Sequence, residues 1–239
     1  MINDFLFDNY NYLTFFVESL AAFTGILLYK RYSLIKEYKW FIWFLIYLTI
    51  CDSAGKYVYL IYGGVLSFLE DTKFVYNYWW STLFWKIGAV IFFVFYYVEV
   101  LNSTLFKKVL KFSGITFLCF SLIYIVLNWE EYFVRSFPVI SVLGALIIFM
   151  CTIFYFIEVL SSNSILTFYK SLNFYVSTAI FIWWLIITPL VFYDLYHFNG
   201  DWNFIFLKWQ IYLFANLCMY FTFTFALIYC KPEETKVLE

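Results

Sequence analysis

Histidine is nearly missing from this chain, charge is scarce, and the motifs of soluble catalysis are not there. The one histidine, His197, cannot by itself assemble a zinc site, a pair of haem ligands or a Ser-His-Asp relay. No H-E-x-x-H, P-loop or G-x-G-x-x-G sequence occurs to bind a catalytic metal or a nucleotide. Charged residues make up 13% of the chain, against about 25% in a soluble domain. A net charge of −1 excludes the clustered Lys and Arg that a phosphate-binding surface needs, so no nucleic acid is expected as a partner. Cys51, Cys119, Cys151, Cys218 and Cys230 fall within or at the end of apolar segments. Their spacings match neither zinc sites nor disulfide frameworks, and they read as apolar packing residues. No metal or other cofactor is expected, and the chain reads as non-enzymatic.

What the chain has is apolar length, with 65% hydrophobic and 28% aromatic residues. Seven apolar segments lie at about 10–29, 39–62, 79–101, 110–128, 138–160, 172–193 and 205–229, each close to the roughly 20 residues that cross a bilayer. The expected fold is an all-α membrane protein, a bundle of seven transmembrane helices forming one domain over residues 1–239, with the lipid bilayer as its first partner. The opening MINDFLFDNYNYL carries Asp4 and Asp8 but no Lys or Arg. It lacks the basic region of a cleavable signal, so the first segment is expected to remain as a span.

Orientation follows from the loops. Lys30, Arg31, Lys36 and Lys39, then Lys107, Lys108 and Lys111, then Lys170, then Lys231 and Lys236 all fall on one side. Glu70, Asp71, Glu130, Glu131, Asp194 and Asp201 fall on the other, where Lys73 and Arg135 are the basic loop residues. The positive-inside bias therefore predicts the N-terminus outside and the C-terminus inside. Trp79, Trp80, Trp129 and Trp202 sit at outer segment ends, as an aromatic belt would place them. Residues 230–239 read as a short cytoplasmic tail, closed to further helix by Pro232.

Four charges lie inside these segments. Asp52 and Lys56 share one helical face at i, i+4; they form a structural ion pair, belong to a polar pocket, or mark a span that ends early and leaves both in water. Counted from the outer ends, Glu18, Asp52, Lys56 and Lys86 occupy one slab in the outer half of the bilayer, two acids meeting two bases. Gln210 and Asn216 of the last segment reach the same depth. The set is either a charge-balanced pocket or a structural salt-bridge network. Pro189 with Thr188 is expected to kink its helix nearby, and Trp183 and Trp184 read as packing. Lys208 lies at the outer edge of its segment, which argues against a retinal-binding lysine. Deeper in, spans 4 and 6 offer little beyond Ser113, Thr116, Ser121, Ser177 and Thr178, favouring a one-sided pocket over a conduit.

A weak repeat, FFVESL at Glu18, YYVEVLNS at Glu99 and YFIEVLSS at Glu158, recurs on alternate spans. It places Glu99 and Glu158 at the cytoplasmic boundary, where they either snorkel beside loop lysines or help dock a protein partner. The stretch IFYFIEVLSSNSILTFYKSLNFYVSTAIFIWWLIITPL, with FFVESLAAFTGILLYKRY near the start, resembles small seven-span membrane proteins of Bacteroidota and, more loosely, the seven-span sensor regions of bacterial signalling proteins. That resemblance implies a multi-pass protein of a bacterial inner membrane with a sensor-like role; it carries over no catalytic residue. The chain departs from the sensors in having no kinase or cyclase domain, and from three-plus-one-plus-three sugar transporters in lacking a Pro-Gln pair. The expected function is a receptor-like or interaction module; the alternatives are a small-solute transporter and an oligomeric membrane effector of a defence system.

Overall fold

The computed structural model describes residues 9–62, 64–162, 167–196 and 202–232. Asp4, Asp8, His197, Asp201, Lys236 and most of the tail lie outside the described residues, as do the side chains of Asp194 and Trp202. Seven long helices carry the fold: α1 Tyr10–Leu28, α2 Lys36–Gly55, α3 Tyr78–Val100, α4 Thr104–Leu127, α5 Pro138–Leu160, α6 Leu172–Tyr196 and α7 Trp202–Tyr229. All seven are long and apolar enough to cross a membrane. Among the described residues there is no strand. The chain is an all-α, seven-helix membrane protein, consistent with backbone that must satisfy its own hydrogen bonds in lipid.

Local chemistry sets the helix ends. Pro138 opens α5 in its first turn, where its missing N–H would have been unpaired anyway. Ser103 caps α4, its hydroxyl accepting the Phe106 amide at 3.4 Å. That cap lets α4 begin at Thr104 and take Lys107, Lys108 and Lys111 into its first turns, earlier than the apolar pattern starting near 110 indicates. Hydropathy locates where a helix can lie in lipid; the cap locates where it starts. At its other end α2 gives way at Gly55 to a 3-10 turn over Lys56–Leu60. A short helix, Trp129–Val134, covers the α4–α5 connection.

Helix α1 lies between α2 and α7, α7 packs on α6, α6 on α5, α5 on α3, and α3 returns to α2. These six close a ring, while α4 sits outside it against α3 and α5. Close approach inside the ring needs small residues, as in membrane helix packing generally: a Cβ at Gly144 of α5 would sit 2.8 Å from Val90 of α3. Away from the ring the surface is apolar, with Phe23, Leu27, Phe112, Ile115, Leu146 and Phe214 all exposed.

The two halves of the bundle differ. Toward the end where α1 stops and α2 starts, the interior is sealed by fully buried aromatics. Phe41 of α2 meets Phe223 of α7 edge-on at 5.0 Å and Tyr96 of α3 at 6.2 Å. The Tyr96 hydroxyl donates to Asn173 Oδ1 at 2.6 Å and pairs α3 with α6, as does the Tyr97–Ser177 hydroxyl contact at 2.7 Å. Interhelical hydrogen bonds of this kind contribute roughly 0.6–2 kcal/mol each in a membrane. Below them Tyr32 turns its hydroxyl to the Leu227 and Cys230 carbonyls, at 2.8 and 2.6 Å, at the end of α7. The other half, where α1 begins, is open.

Candidate functional site

In that open half lies a cavity of about 860 Å³. Three helices line it with residues on one face at helical spacing: Tyr10, Thr14 and Glu18 on α1, Trp184, Ile187 and Val191 on α6, and Tyr212, Asn216 and Tyr220 on α7. One turn deeper on α1 and α7 stand Ala21 and Phe223, both closed to solvent. The cavity therefore has a mouth at one end and a packed aromatic floor at the other.

The charged residues take distinct positions in it. Glu18 is 2% exposed; its Oε1 has no hydrogen-bond partner, while the hydroxyl of the buried Tyr220 faces the carboxyl from α7. Asp52 and Lys56 pair with each other at 3.3 Å across the end of α2, with side chains 40% and 31% exposed. The Lys56 ammonium also sits 3.7 Å above the Phe15 ring, a cation–π contact that ties α2 to α1. Lys86 of α3 donates to Ser136 Oγ at 2.5 Å, so its hydrogen bond reaches the residues leading into α5. Asn216 accepts from Trp183 Nε1 at 2.7 Å and donates to the Tyr10 hydroxyl at 3.4 Å, joining α6, α7 and α1. Of the six residues singled out in the outer slab, Glu18, Asp52, Lys56, Lys86 and Asn216 line the cavity and Gln210 is not among its lining residues.

How α3 delivers Lys86 is not visible in hydropathy. Residues Ser81–Ile87 form a π-helix, a wider turn that is rare and commonly marks functional sites. Tyr47 of α2 inserts there, its hydroxyl donating to the Phe84 carbonyl at 2.6 Å. Gly88 makes room, since a Cβ would sit 2.7 Å from the Tyr47 oxygen. Trp80 Nε1 donates to the Cys51 carbonyl at 2.9 Å and Asn77 Nδ2 to the Gly55 carbonyl at 3.1 Å, so the start of α3 is pinned to the end of α2. Within this segment Ser81, Trp85 and Lys86 all face the cavity.

Sequence reasoning missed part of the lining. Arg135, Ser136 and Lys208 belong to it, although Arg135 reads as a loop residue and Lys208 as a boundary residue. Trp183 and Trp184, read as packing, are both buried and both line the cavity. Trp183 stands 5.3 Å from Trp85 and 5.2 Å from Trp184, centroid to centroid. Helix α6 continues through Pro189, with the Thr188 hydroxyl donating to the Trp184 carbonyl at 2.6 Å.

Glu99 and Glu158 lie at the opposite end. Glu99 pairs with Lys36 at 3.0 Å, and Glu158 accepts the backbone amides of Asn102 and Ser103 at 2.8 and 2.7 Å. The three glutamates of the weak repeat thus sit in three unlike settings. Among the described residues no group of three or more His, Cys, Asp or Glu could hold a metal ion.

Fold and cavity together define a multi-pass helical membrane protein with a polar, aromatic-walled recess in one half of its bundle. Comparison with protein-family models, with curated proteins and with solved structures finds no match.

Proposed function

We propose that this protein is a non-enzymatic, receptor-like module of a bacterial inner membrane, oriented with its N-terminus outside, which takes a small ligand from the outer side. The observation that carries the reading is the convergence of Glu18, Asp52, Lys56 and Lys86 on one cavity closed below by Phe41, Tyr96, Tyr97 and Phe223. Charges are costly at bilayer depth and mark functional sites by default; with Arg135 and Lys208 these four make six around a recess of 860 Å³, which is the size of a small-molecule site. The sealed half favours sensing over passage. A response would leave through the basic inner loops, where Lys36, Arg31 and Lys170 offer a surface to an acidic protein partner.

The competing reading is a small-solute transporter, supported by the same cavity and by the unwound end of α2 beside it, since broken helices line transport sites. Proteoliposomes separate the two. A ligand that raises the unfolding temperature without crossing the membrane supports the receptor; counterflow of that ligand supports transport. Cysteines introduced beside Asp71 and Glu131 should be labelled from outside and those beside Lys36 and Lys108 protected. Labelling of both sets from one side would overturn the orientation.

A further inference from the structure

We propose that the cavity is a site for an organic ammonium ion, with Glu18 as its counter-ion and Tyr10, Tyr220 and Trp183 as its aromatic walls. The inference rests on the cavity being a ligand pocket and adds the chemical class of the ligand.

Charge on the α1–α2 wall does not balance. Glu18 and Asp52 face one base, Lys56, and Lys56 is engaged by Asp52 at 3.3 Å and by the Phe15 ring at 3.7 Å. Lys86 is directed to Ser136 on the α3–α5 side. Glu18 is left with an oxygen that is buried, lines the cavity and accepts no hydrogen bond. A buried carboxylate whose base is shared with a second acid carries a desolvation cost that a bound cation relieves. Inorganic cations would need several oxygen ligands at short range, whereas the group that faces the Glu18 carboxyl from α7 is the phenol of Tyr220. Tyr220, Tyr10 and Trp183 line the same recess, two of them oriented through Asn216 at 2.7 and 3.4 Å. Aromatic faces around a carboxylate are the arrangement that recognises alkylammonium groups, through ring quadrupoles that attract a weakly hydrated cation. The preference for a cation belongs to the Glu18 wall: the other bases of the lining, Lys86, Arg135 and Lys208, stand on α3, the α4–α5 connection and α7.

The test uses the full-length protein in nanodiscs of phosphatidylglycerol, a lipid without an ammonium group, and three probes of one shape. These are phenethylammonium, neutral 2-phenylethanol and phenylacetate, with binding measured by calorimetry. Phenethylammonium should bind, phenylacetate should not, and 2-phenylethanol should bind about 10- to 100-fold more weakly than the cation, the ratio expected for loss of a charge-assisted contact. Glu18→Gln should bring the cation down to the level of the alcohol and leave the alcohol unchanged. Should Glu18→Gln fail to fold, Glu18→Asp keeps the charge and should keep a preference for the cation over the alcohol. Equal binding of all three probes, or a cation preference that survives Glu18→Gln, overturns the ammonium assignment while leaving a ligand pocket in place. Binding of none of them overturns both.

Discussion

Glu158 and Ser103 meet between α5 and α4: the carboxylate accepts the Ser103 amide at 2.7 Å and, with its other oxygen, the Asn102 amide at 2.8 Å. The first amides of a helix have no partner within it, and a carboxylate there also faces the positive end of the helix dipole. One helix therefore caps another. Glu158→Ala is expected to lower the free energy of unfolding by about 1–2 kcal/mol, and Glu158→Gln by roughly half as much, read from denaturation in detergent. The Lys36–Glu99 pair at the same end is the control. Its side chains are 60% and 32% exposed, so Glu99→Gln should cost under about 1 kcal/mol. A larger loss at Glu99 than at Glu158 would reverse the roles assigned to these two carboxylates.

Tyr132, in the short helix between α4 and α5, sets an alkaline limit on stability. It is 5% exposed, its hydroxyl donates to the Trp79 carbonyl at 2.8 Å, and burial pushes its ionisation up from 10.0 to about 12. The folded state holds this proton more tightly than the unfolded chain. Its contribution is therefore complete below about pH 10 and is lost as the pH rises toward 12. Tyr132→Phe should lower stability at pH 8 by about 1 kcal/mol through the missing hydrogen bond. It should also flatten the fall in stability between pH 10 and 12, measured against wild type under the same conditions. An unchanged alkaline slope would place the sensitivity in other tyrosines.

Gly88 controls the π-helix. A methyl group there would lie 2.7 Å from the Tyr47 oxygen, so Gly88→Ala must drive Tyr47 out of its contact with the Phe84 carbonyl at 2.6 Å. The expected cost is about 1–3 kcal/mol, the range for overpacking, together with lost ligand binding because Trp85 and Lys86 share that segment. Combining Gly88→Ala with Tyr47→Phe should recover part of the stability through relief of the same clash, a coupling of roughly 0.5–3 kcal/mol. Simple additivity would mean that Tyr47 does not hold the wide turn.

The seven helices were readable because lipid imposes a length and a polarity on each, and α5, whose Pro138 and apolar pattern coincide, begins and ends where hydropathy places it. The start of α4 was not, because hydropathy does not register the Ser103 cap, and the Glu158 carboxylate that holds the amides before it lies over fifty residues away and becomes adjacent only in the fold. Depth counting brought Glu18, Asp52, Lys56 and Lys86 to one level, since 1.5 Å per residue holds along any helix. It could not give azimuth. Gln210 and Asn216 differ by less than two turns, yet only Asn216 lines the cavity. Nor does hydropathy register a π-helix or the turn before α5, which is why Ser136 escaped notice while its partner Lys86 did not. Aromatic residues were ambiguous for a different reason: in a chain with 28% aromatics, Trp183 gives no sequence signal that separates a cavity wall from packing.

Stability measurements on Glu18 distinguish a residue kept for binding from one kept for folding. Glu18 is 2% exposed with one carboxyl oxygen unpartnered, and Gln has nearly the same shape, keeps an acceptor for Tyr220 and removes the charge. Glu18→Gln is therefore expected to leave the unfolding temperature unchanged or to raise it, with a gain on the order of 1 kcal/mol, as relief of strain at a functional site commonly gives. Lys56→Met should behave oppositely. It strips Asp52 of its partner and costs about 1 kcal/mol, given that the pair is partly exposed, and Asp52→Asn in the same chain should restore most of that. If Glu18→Gln instead lowers stability by several kcal/mol, the charge on Glu18 holds the bundle together, most directly through Lys56 and Tyr220, and the cavity would owe its acid to folding.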